Sequence, residues 1–340
     1  MTDERAWAAG AATGIGSLPL DDVDEACRVV VGELPDLPHL PELPGRGPGA
    51  GLVGRTVALL VDLHADVQPS GWRLVDRPGR DEERAVAWLR RDLDALEIAA
   101  HGWSGPMKLQ VAGPLTTAAS LERLRGDRAV GDPGARRDLA QSLAEGVGAH
   151  VADVRRRLPG ARPVVQLDEP GLPVVLSGGL PTASGLGRLA PVDTAEAATL
   201  LATVLDAIRA AGAVPVVHCC AAGVPVGLLR RAGAEAVSLD VGQLLPDDLE
   251  ELAAAVDDGL GLWAGVVPVT EPSGEVPTDA GISRQVLSLW RRLDQPATAA
   301  PDRVVVTPEC GLAGASPTWA RRAYGLARGA AKALGEAAHA

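Results

Sequence analysis

The chain has 340 residues, a net charge of −12, 46% apolar and 22% charged residues, and four cysteines. That length fits two domains or one α/β barrel, and the acidic balance disfavours nucleic acids and anionic membranes, both of which attract basic surfaces. No apolar run of about 18 residues offers a transmembrane helix, and so few cysteines argue against a disulfide framework. The opening MTDERAWAAG lacks the basic-then-apolar pattern of a secretion signal, which makes the cytoplasm the expected location.

Short apolar runs recur along the chain. They predict strands at 13–17 (TGIGS), 56–63 (TVALLVDL), 107–113 (MKLQVAG), 163–168 (PVVQLD), 214–219 (VPVVHC), 235–240 (EAVSLD), 260–266 (LGLWAGV) and 303–308 (RVVVTP). Helical patterns separate them: DDVDEACRVVVGEL around Cys27, then 81–100, 136–158, 193–211, 246–256, 281–294, and a last helix opening at Ser316-Pro317. Eight strands alternating with about eight helices predict an α/β fold, a (β/α)8 TIM barrel forming a single domain over 1–340. A doubly wound open sheet is the alternative, but TGIGSLP lacks the third glycine of a dinucleotide turn. The Pro/Gly-rich segment 35–51 breaks the rhythm, with prolines at 35, 38, 41 and 44. It is either a linker or a long loop laid across one barrel face.

In such a barrel, chemistry collects at the C-terminal ends of the strands. The predicted strands end in Gly16-Ser17, Asp168-Glu169, His218-Cys219-Cys220, Asp240 and Glu309-Cys310. Residues two apart on a strand share a face, so His218 and Cys220 point one way and Cys219 the other. A thiolate beside an imidazole suits Zn²⁺, and Asp240 and Cys310 can converge on the same point. The bland alternatives are a small buried thiol, a hydrogen-bonded core histidine, and a strained vicinal disulfide. Cys27 and Cys219 are read as packing. Of Asp168 and Glu169, one can face the barrel mouth and bind an ammonium group while the other braces a loop; an ordinary Asp-Pro turn is the alternative.

TGIGSLP, QLDEPGLP, VHCC and TPECGL resemble the motifs of cobalamin-independent methionine synthase, in the catalytic barrel that forms that enzyme's C-terminal half. The resemblance runs from Thr13 to about Ala331 with the motifs in the same order. It implies a 5-methyltetrahydropteroyltriglutamate–homocysteine methyltransferase-like enzyme of methionine biosynthesis, in its stand-alone core form. His218, Cys220 and Cys310 would be zinc ligands, with Asp240 at the place of the family's glutamate ligand. Asp168 would bind the amino group of homocysteine, and Ile15, Gly16 and Ser17 its carboxylate. The expected donor is methyltetrahydrofolate. The alternatives are a methyl-corrinoid protein as donor, a different thiol as acceptor, or a zinc- and thiol-binding barrel without turnover.

The departures fall mostly on the donor side. Asp240 is one methylene shorter than glutamate. WAGVVPVTEP has Thr270 and Glu271 where the family carries a proton-delivering histidine, and the sequence holds no counterpart of the family's N-terminal half. Trp72 and Trp103 are candidate donor-binding residues, as an aromatic wall for a pterin; core packing is the alternative.

Overall fold

The computed structural model describes residues 7–338. An antiparallel hairpin, β1 (His64–Gln68) and β2 (Gly71–Val75), precedes a six-stranded parallel sheet. That sheet runs in sequence order through β3 (Gly105–Ala112), β4 (Ala161–Asp168), β5 (Val214–Cys219), β6 (Ala236–Asp240), β7 (Gly261–Val267) and β8 (Val304–Pro308). The long helices are α1 (Val23–Glu33), α2 (Arg80–Ala99), α3 (Pro133–Arg157), α4 (Thr194–Ala210), α5 (Pro246–Asp257), α6 (Asp279–Arg292) and α7 (Pro317–Ala338). Several of them, α1, α3, α4 and α6, start at a short polar side chain that satisfies otherwise orphaned backbone donors. Asp22 accepts from Asp24 N at 2.8 Å, Asp132 from Ala135 N at 2.9 Å, and Asp193 from Ala195 N at 2.9 Å. Among the described residues, no helix is long and apolar enough to cross a membrane.

Strand alternation divides the apolar residues into two cores. Met107, Leu109, Val165, Leu167, Val217, Cys219, Val237, Leu239, Leu262 and Val306 pack toward the helices. A smaller cluster lies on the other face: Trp7, Ala11, Leu37, Val164, Val216, Ala236, Trp263 and Val305. Successive residues of a strand face opposite sides, so Lys108, Gln110, Gln166, Asp168, His218 and Ser238 share the face of the smaller cluster. Apolar side chains fill that face near the strand starts, and polar ones occupy it toward the strand ends.

Two predicted strands are corrected. Residues 56–63 form no strand; a six-residue helix, Leu52–Val57, ends there and turns follow. A short apolar run cannot by its periodicity tell a buried helix from a buried strand. Residues 13–17 form no ladder either: Ser17 makes an isolated parallel bridge to Glu42, and Ala12 just before them one to Val306, so among the described residues the sheet has six strands where eight are expected. Thr13 N–H donates to Val306 O at 3.1 Å, and Leu18 N–H donates to Glu42 O at 2.9 Å. Next along, Leu40 N–H donates to Lys108 O at 2.9 Å, and Lys108 N–H to Pro38 O at 2.8 Å.

Backbone contact thus passes from β8 through residues 11–18 and then 37–43 to β3. The Pro-rich segment lies against the sheet, with bridges at His39 and Glu42. Pro38 and Pro41 flank these bridges, and a proline has no N–H to extend a ladder.

Candidate metal centre and amino-acid cavity

A cavity of about 260 Å³ opens at the C-terminal ends of the strands. Its wall includes Ile15, Gly16, Ser17, Glu42, Asp168, His218, Cys220 and Cys310. Seven of those eight were singled out from the sequence; Glu42 was not. A larger concavity, about 700 Å³, lies at the strand starts, where Pro163, Val214 and Leu260 contribute to it, but neither His nor Cys lines it.

His218, Cys220 and Cys310 bring their donor atoms within 4.8 Å of one another. Cys310 Sγ lies 3.0 Å from Cys220 Sγ and 3.8 Å from His218 Nε2. His218 is the penultimate residue of β5, and its Nδ1 meets Ser238 Oγ of β6 at 3.0 Å. That contact turns Nε2 toward the thiols, as an outer partner does for a metal-binding imidazole. Proximity to Cys220, then to His218, pulls the Cys310 thiol down to about 4, while the Cys220 thiol is pushed up. A thiol must lose its proton to bind a cation, so metal affinity at this pair should rise with pH. Cys219 points into the helix-side core, fully buried, and burial pushes its thiol up to about 12. We expect Ser238→Ala to weaken metal affinity roughly 10- to 100-fold, the usual worth of such an outer partner, as read by competition with a chromogenic chelator.

Asp168 and Glu169 part company. Glu169 is fully buried: Oε1 accepts from Leu115 N at 2.9 Å, and Oε2 accepts from Thr116 N and Thr116 Oγ1 at 2.8 and 2.7 Å. It therefore braces the short helix Pro114–Ser120. Gly113 must be glycine, because a Cβ there would collide with the Glu169 carboxylate. Asp168 faces the cavity and accepts from Gln166 Nε2 at 2.7 Å. Burial pushes its carboxyl up to about 7, against the pull of His218.

Across the cavity stands Glu42, also buried and raised by burial. Its Oε1 accepts no hydrogen bond and lies 3.7 Å from Arg55 Nε. The loop Ile15-Gly16-Ser17 closes the wall. Among the described residues, the N–H groups of Gly16 and Ser17 have no partner. Gly311 lets Cys310 approach this loop, since a Cβ there would collide with Ser17 Oγ.

Other candidates lie elsewhere. Asp240 ends β6, but its carboxylate is not in the three-donor group; Oδ1 accepts from Gly242 N at 2.8 Å. Burial pushes its carboxyl up. Trp72 belongs to the hairpin and packs into the helix-side core. Trp103 sits before the start of β3, its Nε1 donating to Pro106 O at 3.2 Å, at the end of the sheet opposite the cavity. Neither tryptophan lines this cavity.

A family model described as cobalamin-independent synthase, catalytic domain, matches residues 11–333. The chain belongs to the cobalamin-independent synthase family. A solved B12-independent methionine synthase from Shewanella sp. W3-18-1, in complex with selenomethionine, aligns with a TM-score of 0.62 at 13% identity. The alignment covers 97% of this chain and 99% of that one, and it speaks for the fold. An oxaloacetate acetylhydrolase in complex with oxalate reaches a TM-score of only 0.26 at 16% identity, over 63% of this chain and 71% of that one. The carboxyl transferase domain of Rhizobium etli pyruvate carboxylase reaches 0.24 at 14%, over 67% and 41%. No curated protein matches the sequence.

The cobalamin-independent synthase domain thus presents a donor set of one imidazole and two thiols, already oriented, in the wall of a small cavity that the carboxylates Glu42 and Asp168 also line. Two soft thiolates and an imidazole fit a thiophilic divalent ion and fit Mg²⁺ or Ca²⁺ poorly.

Proposed function

We propose that this chain is a zinc-dependent methyltransferase that moves a methyl group to the thiol of homocysteine, forming methionine. The observation that carries the reading is that His218, Cys220 and Cys310 share one cavity with Asp168 and with the free amides of Gly16 and Ser17. The relative's selenomethionine complex points to the same class of ligand. We read the architecture as a (β/α)8 barrel forming one domain, with its first two strands reduced to single bridges.

His218, Cys220 and Cys310 would hold the ion, with Asp240 available from the side. A bound Zn²⁺ supplies the pKa depression that makes a thiol a nucleophile at neutral pH. The chain's own residues do the positioning. Gly16 and Ser17 N–H groups take the α-carboxylate, and Asp168 takes the ammonium group. Glu42 adds a second negative wall on that side. Pro44, Leu52 and Pro170 line the cavity and limit water. As the S–CH3 bond forms, the donor's bond to methyl breaks. With methyltetrahydrofolate, the thiol proton is balanced by protonation of the leaving nitrogen; with a methyl-corrinoid protein, it goes to solvent.

The test is zinc content of the freshly purified protein, followed by methionine formation from homocysteine with both donors. About one zinc per chain and methionine from either donor are expected. Protein without zinc overturns the reading. Protein that binds zinc and homocysteine yet transfers no methyl group is a binding barrel instead.

A further inference from the structure

Lys108 is one of two lysines in the chain, and it is fully buried on the inward face of β3. It does not line the cavity. Its Nζ donates to the Ile15 carbonyl at 2.7 Å and to Gln110 Oε1 at 3.1 Å. Gln166 Nε2 donates to the same carbonyl at 2.9 Å. Gln110 Nε2 in turn holds the Leu40 carbonyl at 2.6 Å, and the Lys108 backbone bridges the same Pro-rich segment. A buried ammonium is costly unless paired and hydrogen-bonded. Here it is spent on the backbone that closes the cavity.

We propose that Lys108 is the positioning residue for the substrate's carboxylate: by pinning the Ile15 carbonyl, it aims the Gly16 amide into the cavity beside that of Ser17. This rests on the reading of that loop as a carboxylate cradle. The carbonyl and the following N–H belong to one planar peptide unit, so fixing the Ile15 oxygen fixes the direction of the Gly16 N–H. The neighbouring peptide is held separately, by Glu42 N–H donating to Gly16 O at 3.0 Å. A side chain at Gly16 would press on Gln110, 3.0 Å away, so the cradle and the Lys108–Gln110 pair are packed as one unit. Gln166 also grips Asp168, so its loss would disturb both ends of the substrate. Lys108 is the contact that isolates the carboxylate end.

The experiment compares two thiols on the zinc-loaded protein by calorimetry: homocysteine, and 3-aminopropane-1-thiol, which is homocysteine without its carboxylate. Lys108→Met should raise the Kd for homocysteine roughly 10- to 100-fold, the scale of one charge-assisted hydrogen bond. Binding of the aminothiol should be unchanged or tighter, because a positive charge near Asp168 and Glu42 has been removed. Zinc content should stay at the wild-type level. Equal weakening of both thiols, or of neither, overturns the proposal. Should Lys108→Met fail to fold, Lys108→Gln keeps a polar head beside Gln110 but is one atom shorter, and the same selective loss is expected. Wild-type protein that binds both thiols equally would refute the carboxylate cradle itself, whatever Lys108 does.

Discussion

Cys310→Ser is expected to abolish stoichiometric zinc, whereas Cys219→Ala is expected to retain it. The two cysteines differ in direction, not in chemistry. Cys310 Sγ lies 3.0 Å from Cys220 Sγ within the three-donor group, while Cys219 is buried among the apolar side chains beneath the helices. A serine hydroxyl is a hard, weakly acidic ligand and replaces a thiolate poorly. The loss should exceed the roughly 10- to 100-fold expected for an outer partner such as Ser238, because a direct metal bond is removed.

Alanine is the better replacement at Cys219, since a hydroxyl there would be buried without a partner. Asp240→Ala separates a third case. Its carboxylate already caps the turn after β6 and is not in the donor group, so its removal should cost less metal than Cys310→Ser. Inductively coupled plasma mass spectrometry on the three variants, purified side by side, reads all three outcomes. Equal loss of zinc from Cys310→Ser and Cys219→Ala would mean that strand parity does not sort the doublet.

That parity was readable in the sequence because β5 is regular up to its last residue. The alternation carries further than the cysteines. In MKLQVAG, Lys108 and Gln110 alternate with Leu109 and Val111; in PVVQLD, Gln166 and Asp168 flank Leu167; in EAVSLD, Ser238 and Asp240 flank Leu239. Each polar residue falls on the inward face, and each apolar one faces the helices. The sequence therefore contained a signal for a polar interior near the strand ends, including Lys108, Gln166 and Ser238.

Glu42 was harder to see. It lies between prolines, in a segment whose composition suggests a linker, and only the bridges to residues 16–18 and to Lys108 place it on the cavity wall. Residues 56–63 misled for a different reason. The run is apolar because it is buried, and Thr56 uses its hydroxyl to cap Ala112 N at 2.8 Å, a tertiary contact with no local signature. Trp72 and Trp103 lie near strands in the chain without facing the strand ends that carry the cavity. Trp103 precedes its strand and so belongs to the opposite end of the sheet.

Asp168→Asn should leave zinc in place and remove most of the affinity for homocysteine. Asn keeps the shape and an acceptor oxygen, so the Gln166 contact can survive, but it carries no charge to meet an ammonium group. Losing one partner of a buried charge pair costs about 2–4 kcal/mol, or roughly 30- to 1,000-fold in Kd. Glu42 bears on where in that range the value falls. Its carboxylate lines the same cavity, paired with Arg55 at 3.7 Å but without a hydrogen bond at Oε1, and can take part of the ammonium's charge. Asp168→Asn together with Glu42→Gln should therefore cost more than Asp168→Asn alone, and the two changes should not be additive if both groups meet the same ammonium.

A thiol acid lacking the amino group, 4-mercaptobutanoate, supplies the control. Its binding should improve or hold in Asp168→Asn, because a negative charge has been removed from the wall. Calorimetry of both ligands on zinc-loaded protein decides between the roles. If Asp168→Asn weakens both ligands alike, Asp168 supports the shape of the cavity and does not read the ammonium.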